Sequence, residues 1–169
     1  VDLAELEKPT LSIDIPVHAD AGDFIRSILQ AQQVALPQKS AWVAQCMQWK
    51  LRYPVVLPEY WRRKELINPY CFVDALFRQL DDSAAVVCAN ATACVCTYQA
   101  AKITGGQRVY SNSGSASMGY DLPAAIGAAI AEPERTTICL AGDGSIQMNL
   151  QELQTIQTYQ LPIKIFVLN

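Results

Sequence analysis

Gly142–Asn169, GDGSIQMNLQELQTIQTYQLPIKIFVLN, is the stretch on which the reading of this chain turns. It begins where a short β-branched and apolar run, Thr136 to Ala141 (TTICLA), gives way to two glycines flanking an aspartate. Glycine lets a backbone turn tightly and approach a ligand closely, so the pattern places the Asp143 carboxylate at a strand's carboxyl end. Asn149 and Glu152 stand at capping-box spacing, and Leu150, Leu153 and Ile156 recur at helical intervals, which predicts a helix of about three turns. Leu161-Pro162 ends that helix, and Ile163 to Leu168 (IKIFVL) has the nearly continuous apolar character of a parallel strand covered on both faces. The unit is β-α-β. Right-handed crossover and parallel pairing then set Asp143 and Asn169 at the same sheet edge, on strands about 4.8 Å apart, as two converging oxygen ligands. Mg²⁺ is commonly held by one or two such protein groups together with phosphate oxygens and water.

Composition narrows the function classes. A chain of 169 residues is long enough for one domain core, and a hydrophobic share of 51% indicates a globular protein. A net charge of -3 and a pI near 5.1, with no basic stripe, argue against nucleic acid as a partner. The six cysteines lie mostly in apolar surroundings, without paired CxxC motifs or histidines at metal spacing, so buried free thiols and a reducing cytoplasm are expected. No apolar run reaches the roughly 20 residues that a bilayer span needs, and no signal peptide opens the chain. A soluble binder of small molecules is the expectation.

Upstream of Gly142 the same alternation recurs. Asn68 before Pro69 signals a helix start, with PYCFVDALFRQL following to Asp81. Ala84 to Cys88 (AAVVC) reads as a buried strand, Asn90 and Thr92 lie at its carboxyl end, and a helix is expected to Lys102. Gly105-Gly106 makes a turn, Arg108 to Ser111 a short strand, and Asn112 to Tyr120 (NSGSASMGY) a loop of small residues. Asp121 and Pro123 start a helix rich in Ala and Gly, whose small side chains permit close helix-to-sheet packing. Each polar segment follows a strand, as expected of an open, Rossmann-like parallel α/β sheet that binds its ligand at a topological switch point. Toward the amino terminus, Gln38 to Tyr60 suggests a helix and a proline-punctuated connector, with the tryptophans as packing anchors. Thr10 to Ile15 alternates like a strand, Ala19 onward (ADAGDFIRSILQA) reads as an amphipathic helix, and VDLAELEKP opens with no capping signal. His18 reads as a surface or packing residue.

GDGSIQMNLQEL followed by LPIKIFVLN resembles the diphosphate-binding motif of thiamine-diphosphate enzymes, particularly the acetolactate synthase and 2-oxoacid decarboxylase group. SGSASMGYDLPAAIGA resembles that family's GGLGTMGFGLPAAIGA-type segment, and Asp2, Lys8, Asp14 and Asp20 match the closing strand and helix of its middle domain. The resemblance implies residues 1–36 as the tail of a middle domain, 37–66 as a linker, and 67–169 as the amino-terminal part of an incomplete thiamine-diphosphate-binding domain. It implies thiamine diphosphate and Mg²⁺ as cofactors and leaves FAD open. Asp143 is a metal ligand by this resemblance, while Asn169 matches the first of a tandem Asn pair whose second member is the family's side-chain ligand. Cofactor contacts are implied for Asn90, Thr92, Ser113, Ala116, Met118, Gly142, Asp143, Gly144, Ser145 and Met148. Among these, the Ala116 carbonyl would accept from the aminopyrimidine and Met118 would wedge between the cofactor's rings.

The implied activity is decarboxylation or carboligation of a small 2-oxoacid by a cytoplasmic homodimer or homotetramer. No catalytic residue is assigned, because the family's activating Glu comes from a domain outside this sequence. Ala93 occupies a His-like place in the diphosphate segment. That departure, with the unmatched second Asn, motivates the alternative of a non-catalytic binding or assembly module. A dinucleotide-binding domain is a weaker alternative, since no G-x-G-x-x-G follows a strand.

Overall fold

A computed structural model describes residues 2–10, 12–31 and 39–169, so the expected boundary between residues 36 and 37 lies outside the described residues. The chain forms two compact units, Val1–Lys50 and Leu51–Asn169.

In the first unit, helix α1 (Leu3–Leu6) does have a cap: Asp2 accepts the Ala4 amide at 2.9 Å. Its carboxylate satisfies one of the free amides of the first turn, a signal that the sequence reading passed over. Helix α2 (Ala21–Ala31) forms where its pattern places it, with Asp20 accepting the Gly22 and Asp23 amides at 2.8 and 3.1 Å. The strand expected over Thr10–Ile15 is not formed by its described residues. Alternation alone does not make a strand; its backbone groups need a ladder partner, and every described ladder belongs to the other unit. Helix α3 (Ser40–Arg52) carries Trp42 and Trp49 edge to face at 5.6 Å. Both are about half exposed, so they pack on each other instead of anchoring a core.

The second unit is built on a four-stranded parallel sheet in the order β2-β1-β3-β4. A 3-10 turn (Pro58–Arg62) leads to helix α4 (Pro69–Gln79), whose cap Asn68 accepts the Tyr70 amide at 2.9 Å as the Asn-Pro pair foretells. Strand β1 (Ala85–Cys88), helix α5 (Ala91–Ala100), strand β2 (Arg108–Tyr110), helix α6 (Asp121–Ala131) and strand β3 (Thr137–Gly142) follow. Helices α7 (Asp143–Gln147) and α8 (Glu152–Tyr159) then lead to strand β4 (Ile163–Leu168).

Alternation along the strands divides the core. Val86, Cys88, Ile138 and Leu140 face α4 and α5, while Val87, Cys139 and Ala141 face α6. The sheet is thus covered on both sides, as parallel sheets require. Edge strand β4 is only half-buried, with Val167 49% exposed.

Three local expectations in the deciding stretch need correction. The helix expected after Asn149 is shorter, α8 having about two turns, and a separate short helix, α7, precedes it from Asp143. Asn149 does not cap it: its side-chain amide donates to the Gly119 carbonyl at 2.6 Å, and Glu152 accepts the Thr155 hydroxyl at 2.8 Å. A tertiary partner outcompeted the local one. Nor do the GDG glycines make a left-handed turn; Gly142 stays extended (φ -78°, ψ 155°) and the strand runs directly into α7.

The amino-terminal end of the sheet is closed by its own polar groups. Gln107 donates to the Leu80 and Asp81 carbonyls at 3.3 and 3.2 Å and accepts the Thr104 amide at 3.1 Å. Arg135 donates to the Ser83 and Gly106 carbonyls at 2.7 and 3.0 Å and pairs with Glu132. Asp81 accepts from the Ser83 hydroxyl and amide at 2.6 and 2.9 Å, bonds that hold its carboxyl below its usual range.

Candidate functional site

The carboxyl-terminal end of the sheet is built differently. Parallel register pairs Cys88 with Leu140 and Gly142 with Leu168, so Ala89-Asn90, Asp143 and Asn169 leave adjacent strands at one edge. The loop Ser111–Tyr120 leaves the same edge from β2. Connections run from β1 to one side of the sheet and from β3 to the other, which makes β1/β3 the switch point where open α/β sheets receive ligands.

Several polar side chains here have no partner among the described residues. Asp143, the first residue of α7, is exposed and makes no side-chain hydrogen bond or ion pair among the described residues. Asn90 precedes α5 without capping it by a side-chain bond, leaving the first amides of a ten-residue helix available. Thr92 and Asn169 are exposed too, and both line an open cleft of about 760 Å³ that continues over Phe72, Phe166 and Leu168. Its size is that of a small-molecule site. Ser113 is exposed in the next loop, 3.3 Å from the Ser111 hydroxyl.

Backbone strain gathers at the same edge. Ala91 and Ala116 have φ of 47° and 51°, a region that costs a side-chain-bearing residue about 1–3 kcal/mol unless its surroundings impose it. The Asn112 carbonyl imposes it at Ala116, accepting the Ser115 and Ala116 amides at 2.9 and 2.8 Å, while the Asn112 side-chain oxygen is buried with no partner. Neither conformation can be read from an alanine, and Asn112 escaped the sequence reading for want of a motif.

Met118 is 48% exposed and rests on α7; a Cβ on Gly144 would stand only 3.0 Å from its terminal methyl. The glycine between Asp143 and Ser145 therefore serves close approach, not a turn. Gly119 has φ of +82°, and a Cβ there would meet the Asn149 side-chain nitrogen at 2.7 Å and Met148 Cβ at 2.8 Å. Its amide donates to the Ser145 hydroxyl at 2.8 Å and its carbonyl accepts from Asn149. Ser145 is buried, so its hydroxyl faces this loop, while Met148 is 59% exposed.

Beneath the edge the sheet is dry. Burial pushes the thiols of Cys88 and Cys139 up to about 12, with the Asp121 carboxylate adding to the effect at Cys139. All six cysteines are free. Asp121 is fully buried, and one carboxylate oxygen accepts the Leu122 amide at 2.8 Å while the other has no partner.

A parallel sheet carrying an unpaired aspartate, strained loops and exposed polar side chains at its switch point defines a ligand-binding α/β domain. Comparison adds that residues 90–169 match the family described as thiamine pyrophosphate enzyme, C-terminal TPP binding domain. Over its whole length the chain is similar to large subunits of acetolactate synthase. It is 35% identical to that of Parasynechococcus marenigrum, 33% to isozyme 3 of Escherichia coli and 32% to that of Pyropia yezoensis. Each match takes in 100% of this chain and 27%, 30% and 28% of the relative, so the chain spans less than a third of their length. Among the described residues no helix is long and apolar enough to cross a membrane.

Proposed function

We propose that this chain is part of a thiamine-diphosphate- and Mg²⁺-dependent 2-oxoacid decarboxylase or carboligase, resembling acetolactate synthase, that works in the cytoplasm as a homodimer or homotetramer. The observation that carries this reading is the unpartnered Asp143 carboxylate, on the first residue after β3 and one strand from Asn169. The donor set suits a hard cation. Both groups offer oxygen, and no three His, Cys, Asp or Glu side chains gather at one point among the described residues, so phosphate oxygens and water would complete the shell.

Bound thiamine diphosphate supplies the carbanion chemistry by which a 2-oxoacid loses CO₂. The chain's own residues bind and orient. Asp143 holds the cation, with Asn169 beside it. Asn90 and Thr92, at the start of α5, present an amide, a hydroxyl and free backbone N–H groups to diphosphate oxygens. Ser113, Gly142, Gly144 and Met148 line the approach. Ala116, locked in its left-handed conformation, would offer its carbonyl to an amino group of the cofactor, and Met118 would support the cofactor's rings. The test is calorimetry on the full-length protein: thiamine diphosphate should bind with Mg²⁺ and fail to bind when EDTA removes it. Equal affinity in both conditions would contradict the reading.

One observation favours a second reading, a non-catalytic thiamine-diphosphate-like module. Ala93, in the His-like place, is 1% exposed and packed in the core, so no side chain from that position reaches the ligand edge. Release of CO₂ from a 2-oxoacid by the full-length protein decides between them, since a binding module releases none.

A further inference from the structure

Ser145 and Asn149 follow the cation-binding Asp143 by two and six residues, yet both spend their side chains on Gly119, a residue 26 and 30 positions away. The amide of Gly119 donates to Ser145 and its carbonyl accepts from Asn149, so the peptide groups flanking this residue are held from both sides. The Ser145 bond is buried. The left-handed φ of Gly119 leaves it no room for a side chain against Met148 and Asn149, and the methyl of Met118 seats in the space left by Gly144. The two side-chain bonds that hold Gly119, next to Met118, thus come from the segment that begins at Asp143. The rest of its loop, from Ser113 to Ser117, is exposed.

We propose that Ser145 and Asn149 are positioning residues that clamp the Met118 loop onto α7 and set its height relative to Asp143. A correctly placed loop would favour the ring-bearing half of the cofactor. This rests on the function proposed above, in which Met118 supports the cofactor rings. The clamp contributes nothing to a ligand that lacks rings.

The experiment compares two ligands on the full-length protein: thiamine diphosphate with Mg²⁺, and inorganic pyrophosphate with Mg²⁺. Ser145→Ala and Asn149→Ala should each weaken thiamine diphosphate about tenfold, the equivalent of one lost hydrogen bond, and leave pyrophosphate unchanged. Ser145→Thr, which keeps the hydroxyl, should restore affinity. Equal weakening of both ligands would mean a merely structural role and overturn the proposal, as would no weakening of either. Hydrogen exchange without ligand judges the clamp separately: the Gly119 amide should exchange about tenfold faster in Ser145→Ala. An unchanged rate there overturns the clamp even if the protein binds no thiamine diphosphate, a result that would instead refute the proposed function.

Discussion

The two ends of the parallel sheet are made from similar residues and put them to opposite use. At the amino-terminal end Asp81, Gln107 and Arg135 find backbone partners, and the loops between strands are tied to one another. At the carboxyl-terminal end Asp143, Asn90, Thr92 and Asn169 face outward with no comparable partners among the described residues, beside two alanines held in left-handed conformations. A polar group that meets another protein group holds the fold together; one left open is available to a ligand. Two bonds at the open end hold Gly119, in a loop that is otherwise mostly exposed.

The dry slab between the two ends gives the largest expected effect. Cys88 and Cys139 keep their protons in the folded state up to about 12, whereas an unfolded thiol loses its proton near 9.0. Above that lower value the unfolded chain binds fewer protons, so stability is intact below pH 9 and falls as pH rises toward 12. The loss should be about 1 kcal/mol per pH unit for each thiol, read by urea titration, and should shrink in a Cys88→Ala, Cys139→Ala variant. A flat profile from pH 9 upward would mean that the slab is wet, and the contrast between the ends would lose its basis.

Gly119→Ala comes next. It forces a side chain into a left-handed position already filled by Asn149 and Met148, and should cost about 2–3 kcal/mol by the same titration. Arg135→Ala breaks the ties at the closed end and should cost about 1–2 kcal/mol while leaving thiamine diphosphate affinity unchanged. A loss of affinity there would show that the two ends are not separable in function. The smallest effect on stability is expected from Asn90→Ala, within about 0.5 kcal/mol, because its side chain caps nothing. Its cost should appear instead as weaker cofactor binding in calorimetry.

Local signals carried most of the fold. Asn68-Pro69 capped a helix as read, and IKIFVL became β4 over the same six residues. The parallel register that sets Asp143 beside Asn169 followed from the β-α-β pattern alone. Failures came where a distant partner decided. Asn149 had the spacing of a cap and went to Gly119, thirty residues back; TLSIDI had the alternation of a strand and no ladder to join. Motifs mark Asp143 and Met118, which the structure brings to one edge of the sheet, whereas conformation leaves no such mark. Nothing in the letters of Ala91 or Ala116 announces a positive φ, and nothing in Ser145 tells whether its hydroxyl meets a ligand or a loop.

The central claim is that Asp143 is left open at the end of β3 in order to hold a divalent cation under a diphosphate. Calorimetric titration of thiamine diphosphate into Asp143→Ala in the presence of Mg²⁺ tests it most directly. Affinity should fall more than about 100-fold, with thermal stability unchanged because the carboxylate has no partner to lose among the described residues. Wild-type affinity in that variant would contradict the account.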